Sequence, residues 1–268
     1  MEIRYFWLAF LAALIIFSYY VFFFEPGQIV VKKTKLDIGL NESIRIVFIS
    51  DIHVETISDE YLGQVVVAAN SQNADYIFLG GDYSDGGSQI SRLAPLGDLQ
   101  AKKGQFAVLG NHDYLYDETS CSKSQEETGN EISSLLESMG FSVLRNDVVE
   151  LEGFSLAGID DDWACRDDYF SAIEGVDLSG PGILLTHNQE AVPYDEYQNW
   201  NLILAGHTHC GQVRVPPIGS IPKALGMFGI YDMGHFEPYP DSHVYISCGI
   251  GGGPRMLNPP EITVIELS

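Results

Sequence analysis

The chain has 268 residues, 37 of them acidic against 14 basic, with seven histidines, four cysteines and a formal net charge of -23. That charge repels phosphate backbones and excludes non-specific nucleic-acid binding, while 46% hydrophobic content excludes a disordered acidic tail. An anionic substrate would need local positive charge from bound metal or from a few well-placed arginines.

The first predicted element is Tyr5–Phe24, twenty residues without a charge. As a helix it spans about 30 Å, the thickness of a bilayer core. It is longer than a usual leader core and ends in aromatics where a signal peptidase wants small residues. We therefore read residues 1–25 as an uncleaved single-pass membrane anchor. A cleaved leader on an exported domain is the alternative. Lys32, Lys33 and Lys35 follow the apolar run and Arg4 precedes it, a count that slightly favours a cytoplasmic domain. Residues 26–43 read as a linker, and 44–268 as the domain.

That domain is expected to be α/β. Short β-branched runs at Ile44–Ile49, Tyr76–Leu79, Phe106–Leu109, Ser142–Leu144, Val148–Leu151, Ser155–Ala157, Ile183–Leu185, Leu202–Leu204, Val244–Ser247 and Ile262–Glu266 predict strands. Helices are predicted at Asp59–Asn70, Ile90–Leu99 and Asn130–Met139. The cysteines, Cys121, Cys165, Cys210 and Cys248, show neither metal-ligand spacing nor a disulfide framework. They read as unpaired thiols, with a Cys121–Cys165 bridge only in an exported domain.

Five of the hydrophobic runs stop in metal-type ligands: Asp51-Ile52-His53, Gly81-Asp82, Gly110-Asn111-His112-Asp113, Thr186-His187 and Gly206-His207-Thr208-His209. In open α/β sheets, sites form beyond the carboxyl ends of strands. Asp51 and His53, two apart on an extended chain, project to one side, as His207 and His209 could. Asp82 can bridge two cations, Asn111 adds a neutral oxygen, and His187 adds an imidazole. This nitrogen and oxygen set suits two divalent ions, Mn first, with Fe, Zn or Co as alternatives. Such a pair clamps a phosphoryl group and acidifies a water, and supplies the positive charge that the surface lacks. Singly, each motif has an ordinary explanation, such as a turn, a helix cap or a structural histidine. Five together in comparable strand contexts do not. His235 and His243 lie outside the motifs and read as loop or surface residues.

The ordered set closely resembles the calcineurin-like metallophosphoesterase superfamily, over roughly Ile44 to Leu267. The later stretches Gly211-Gln212-Val213, Ser247-Cys248-Gly249-Ile250-Gly251, Arg255 and Pro259-Pro260-Glu261-Ile262 resemble its bacterial membrane-associated branch. That branch includes hydrolases of UDP-2,3-diacylglucosamine in lipid A synthesis. The resemblance implies a four-layer α-β-β-α sandwich. It also implies one metal on Asp51, His53, Asp82 and His209, and a second on Asp82, Asn111, His187 and His207. His112 is similar to the family's histidine that assists the leaving oxygen, with Asp113 as its orienting partner. Asn111 and Arg255 are candidates for contacting substrate phosphate. Cys210 departs from the branch's usual glycine, as a soft contact near the metals or a space filler. No twin-arginine export signal is present.

The resemblance implies hydrolysis of a phosphoester or pyrophosphate at a bacterial inner membrane, on a small or lipid-linked substrate. The alternative is an exported phosphodiesterase with a cleaved leader, acting on nucleotides or other small phosphoesters. An inactive scaffold would lack ligands, and all are present. Residues 114–130 and 160–170 are expected to border the site, with Asp160, Asp161, Asp162, Asp167 and Asp168 as a solvated acidic rim.

Overall fold

The computed structural model describes every residue except 1, 88, 115–122 and 228–230. Helix α1 (Glu2–Tyr19) runs on into a wider turn at Tyr20–Phe24. The strands follow in chain order. They begin with β1 (Val30–Leu36), β2 (Ile44–Ile49), β3 (Tyr76–Gly80), β4 (Gly104–Val108) and β5 (Ser142–Val143). Next come β6 (Asp147–Leu151), β7 (Phe154–Ile159), β8 (Gly182–Thr186), β9 (Leu202–Ala205), and a small hairpin of β10 (Arg214–Val215) and β11 (Gly219–Ser220). The last three are β12 (Gly234–Tyr239), β13 (Ser242–Ile246) and β14 (Glu261–Leu267).

Two six-stranded sheets result, in the orders β1-β14-β2-β3-β4-β5 and β12-β13-β9-β8-β7-β6. Within them β2, β3, β4 and β5 are parallel, as are β7, β8, β9 and β13. Alternation inside the apolar runs sets the layers, because successive strand side chains face opposite ways. Ile46 and Phe48 of the first sheet meet Leu156, Ile183, Leu185 and Leu204 of the second in a shared core. Val47 and Ile49 turn outward onto α2 (Asp59–Asn70) and α3 (Lys123–Ser138), packing with Leu62, Val65, Ile132 and Leu136. On the far face of the second sheet, Leu184, Ile203 and Val244 are covered by Tyr169, Tyr197 and Trp200. Tyr169 and Tyr197 come from short helical segments at Tyr169–Ala172 and Tyr194–Asn199, and Trp200 directly follows the second, so the fourth layer is thin.

Local chemistry explains the helix ends. Ser58 caps α2 by accepting from Tyr61 N–H, and Leu62, Val65, Val66 and Ala69 form its buried stripe. The helix expected at Ile90–Leu99 is a 3-10 segment, Ile90–Asp98, with Pro95 inside it, which cannot supply an α-helical donor. Helix α3 begins at Lys123 rather than Asn130.

The segment read as a linker is part of the sheet. Residues Val30–Leu36 pair in parallel with Glu261–Leu267 along their whole length. Lys32 bonds the buried Glu261, and Lys35 pairs with Glu266. The lysines that suggested a linker thus blunt an edge strand instead.

The C-terminal end of this N-terminal helical segment is also docked. Val21 is buried, its carbonyl accepts from Arg255 N–H at 2.9 Å, and buried Glu25 accepts from Leu257 N–H at 2.9 Å and from Asn258 N–H. Tyr5, Phe10, Ile16 and Phe17 on the same helix are exposed, and the helix is long and apolar enough to cross a membrane.

Candidate metal centre

The parallel strands deliver the ligand residues to one end of the sandwich. Asp51 and His53 follow β2, Asp82 follows β3, Asn111 follows β4, His187 follows β8, and His207 and His209 follow β9. To turn there, the backbone adopts left-handed conformations at Asp51 (φ 52°), His53 (φ 42°), Asp82 (φ 55°), His207 (φ 66°) and His209 (φ 46°). Non-glycine residues rarely do so, and each costs on the order of 1–3 kcal/mol, a strain that clusters at functional sites. Gly206 and Gly249 let two loops approach where any Cβ would strike the Asp51 carboxylate.

Two ligand clusters share one atom. In the first, His53 Nε2 lies 3.1 Å from His209 Nε2 and 3.4 Å from Asp82 Oδ2, and His209 Nε2 lies 3.6 Å from Asp51 Oδ1. In the second, His187 Nε2 is 3.1 Å from the same Asp82 Oδ2, while His207 Nδ1 is 3.2 Å from His187 Nε2 and 3.1 Å from Asn111 Oδ1. All seven expected ligands are therefore brought together. Within each cluster's His and Asp set, the ligand atoms lie within 4.8 Å of one another.

The donor set fits metal ions better than it fits itself. Imidazole nitrogens face each other at hydrogen-bond distance, and Asp51 Oδ2 and His209 Nδ1 are buried without partners. Burial opposes charge on His53, yet its bonds to Asp82 and Asp85 push it up to about 10. His187 is likewise raised well above the usual histidine range by Asp82, against burial. Burial and its cationic neighbours push His207 down to about 3, and His209 falls for the same reasons. Protons on two of the four imidazoles thus balance carboxylates in a cavity built for cations.

The remaining ring nitrogens are held in place. His187 Nδ1 donates to the Gly80 carbonyl at 2.7 Å, which aims its Nε2 inward. Asp85 Oδ1 lies 2.8 Å from His53 Nδ1 and 3.0 Å from His112 Nδ1. The pull of His112 and His53 holds Asp85 well below the usual carboxylate range. Asp85 was not singled out in the sequence. Its signal was available as an acid three residues beyond Asp82, in Gly81-Asp82-Tyr83-Ser84-Asp85.

Several expectations are corrected. Asp113 does not orient His112. It is buried, and its carboxylate accepts from the N–H groups of Asp82 (2.9 Å), Tyr83 (2.8 Å) and Gly110 (2.9 Å), bracing two ligand loops together. Burial pushes it up to about 7. Arg255 does not reach a substrate phosphate. It is wholly buried and donates to the carbonyls of Cys248, Gly249 and Gly251, and burial lowers it only to about 10, so it stays cationic.

The thiols are not free. Cys210 and Cys248 form a disulfide, Cys165 is also disulfide-bonded, and Cys121 lies outside the described residues. Cys210 therefore offers no soft contact to a metal. Its bridge ties the His209 loop to the one beside Asp51.

The acidic rim is internal at two of its five aspartates, and Asp162 is half-buried. Asp160 is buried and accepts from Tyr114 Oη and Arg145 Nε, and Asp161 is buried and pushed up to about 8 by burial, whereas Asp167 and Asp168 are exposed as expected. The 160–170 segment does border the centre, since the Trp163 ring stands 4.5 Å from that of His207. Much of the other expected border, 114–130, lies outside the described residues. His235 and His243 sit on the edge pair β12 and β13, bonded to each other at 3.1 Å.

Comparison with known proteins agrees with this geometry. Residues 44–211 match the family described as calcineurin-like phosphoesterase. An uncharacterized metallophosphoesterase of Helicobacter pylori is 30% identical over 85% of this chain, which spans 60% of that protein's length. Phosphodiesterase YaeI of Escherichia coli is 28% identical over 92% of each chain. A transmembrane protein with metallophosphoesterase domain from Danio rerio is 32% identical over 91% of this chain and 58% of its own.

Proposed function

Because the chain belongs to the calcineurin-like phosphoesterases, we propose that it is a membrane-anchored phosphoester hydrolase working with two divalent metal ions. The single observation that supports the pair is the shared atom, Asp82 Oδ2, between two clusters of nitrogen and oxygen donors. Asp51, His53, Asp82 and His209 would hold one ion, and Asp82, Asn111, His187 and His207 the other, with Mn the first candidate. When bound, the ions supply Lewis acidity to the phosphoryl group and to the attacking water. The chain's own part is to position and to move a proton. His112, half exposed with its Nδ1 on Asp85, can offer its other ring nitrogen to the leaving oxygen.

The docked anchor end supports retention at the membrane rather than cleavage, and so a lipid-linked or membrane-proximal substrate. The disulfides favour a domain on the oxidising side, against the slight preference read from the lysines. UDP-2,3-diacylglucosamine fits the two-metal chemistry and the membrane, but a nucleotide-activated precursor belongs to the reducing side. The reading supported best is therefore a phosphodiesterase facing outward, in keeping with the name of the Escherichia coli relative.

The test is metal content and product analysis on the purified full-length protein, with Asp82→Asn as control. Wild type is expected to retain about two Mn per chain by the two-metal template. Asp82→Asn should retain less than one and lose hydrolysis of a chromogenic diester. Release of UMP from UDP-2,3-diacylglucosamine would restore the lipid A reading. Diester hydrolysis without UMP supports the outward-facing phosphodiesterase. Full metal content in Asp82→Asn would remove the bridging role.

A further inference from the structure

The loop that packs on the ligands is the loop that grips the anchor. Gly249 and Gly252 lie against Asp51 and His209, at distances that leave no room for a Cβ. A few residues on, Arg255, Leu257 and Asn258 take the anchor's end through Val21 and Glu25, and Asn258 Nδ2 donates to the His209 carbonyl at 2.6 Å. Anchor, loop and ligand are linked by consecutive hydrogen bonds, with no slack tether between membrane and site.

A ribbon extends sideways from that loop. Met256 N–H donates to Gln212 O and Arg214 N–H to Met256 O, each at 3.0 Å, and Arg214 then pairs with Ser220 across the β10–β11 hairpin. A short helix, Ile221–Ala224, follows. Ile218, Ile221, Leu225, Met227 and Leu257 project from this ribbon into solvent, Leu225 with 73% of its surface exposed. Among the described residues, nine large apolar side chains beyond the anchor are exposed, and these are five of them. Grouped exposure of this kind marks an interaction surface.

The charge of the same stretch is unlike the rest of the chain. No carboxylate occurs between Glu196 and Asp232 in a protein of net charge -23. Its two cations beyond the histidines, Arg214 and Lys223, converge on Asp232 at 2.9 Å each. An apolar, acid-free surface beside the exit of a membrane helix suits the interface of an anionic bilayer.

We propose that Ile218, Ile221, Leu225, Met227 and Leu257 form a membrane foot. They enter the headgroup region of the bilayer that holds the anchor, so the metal centre opens at the level of lipid phosphates. This rests on the anchored-phosphoesterase reading and narrows its substrate to a phosphoester carried by a membrane lipid.

The experiment places the full-length, Mn-loaded protein in nanodiscs of phosphatidylcholine and phosphatidylglycerol, one copy per disc. Tryptophan is introduced by Leu225→Trp or, as the anchor control, by Phe23→Trp. With brominated acyl chains, the added fluorescence of both variants is expected to fall at least twofold relative to unbrominated discs. Quenching of Phe23→Trp but not Leu225→Trp would overturn the foot and leave the anchor. Quenching of neither would remove both. Protection of Leu225→Trp only when several copies share a disc would assign the surface to a second chain and refute the lipid contact. Phosphate access is read by turnover of bis(p-nitrophenyl) phosphate as phosphatidic acid is added to the discs. The apparent KM should rise at least threefold at 20 mol% and return to its starting value in the Ile218→Asp/Leu225→Asp/Met227→Asp variant. Inhibition by free inorganic phosphate without inhibition by phosphatidic acid would show that bilayer phosphates do not reach the centre. Absence of any diester turnover would instead defeat the hydrolase reading itself.

Discussion

Asp85→Ala tests how the chain positions its own groups. The wild-type carboxylate holds two imidazoles through one oxygen, His53 Nδ1 at 2.8 Å and His112 Nδ1 at 3.0 Å. Asp85 is itself half exposed, so its removal opens no core cavity. Loss of the bond to His53 frees a candidate ligand ring, which should weaken metal binding about 10–100-fold. Loss of the bond to His112 leaves the acid unoriented. Removing an acid outright costs about 10²–10⁴-fold, so a misaimed one should cost about 10–10²-fold. The two effects separate experimentally. Saturating Mn restores the first, and the second depends on the leaving group. At saturating metal, kcat for an alkyl phosphodiester should fall about 10–10²-fold, while kcat for a p-nitrophenyl ester, whose leaving group needs no proton, should fall less than about threefold. Equal losses on both esters at saturating Mn would refute the link from Asp85 through His112 to the leaving oxygen.

Arg255→Met should strand the carbonyls of Cys248, Gly249 and Gly251, at about 3–5 kcal/mol for buried acceptors left unpaired. Differential scanning calorimetry should show a Tm roughly 6–20 °C lower. KM for a soluble diester should stay unchanged, and a selective rise in KM at unchanged Tm would return Arg255 to phosphate binding. Replacing both Cys210 and Cys248 with serine should cost about 2–4 kcal/mol and speed metal loss to a chelator. Chelation kinetics identical to wild type would show that the bridge does not steady the ligand loops. Asp161 is buried with Oδ2 unpartnered, and its folded-state carboxyl is raised to about 8 from an ordinary 3.8. The folded protein therefore binds more protons there than the unfolded chain, and stability is lost as pH rises from about 4 to 8. In metal-stripped protein, the Tm advantage of Asp161→Asn should grow from pH 5 to pH 8. A constant difference would contradict the assignment.

The ligand set was legible because the chemistry is local. Each ligand stands within a few residues of the end of a fully apolar strand, and sheet geometry then brings those ends together. What the sequence concealed depends on partners distant along the chain. Asp85 acquires meaning only when the loops after β2 and β4 bring His53 and His112 to it. Arg255 reads as a phosphate-contacting cation because arginine is seldom wholly buried, and nothing local reveals the three carbonyls that receive it. Cys210 and Cys248, 38 residues apart, meet only because β9 and β13 are neighbours. Val30–Leu36 reads as a linker because three lysines outweigh its alternation, and its pairing partner lies more than 200 residues away.

That last pairing governs how the protein is made. Strand β14 lies between β1 and β2, so two early strands are joined only by one of the last to be synthesised. During translation both strands wait with unpaired edges. The first sheet closes only after residues 261–267 have left the ribosome. Contacts of such sequence separation form slowly and leave intermediates open to aggregation. A chain halted shortly before Glu261 would keep every metal ligand and still leave β1 without a partner and β2 with an open edge.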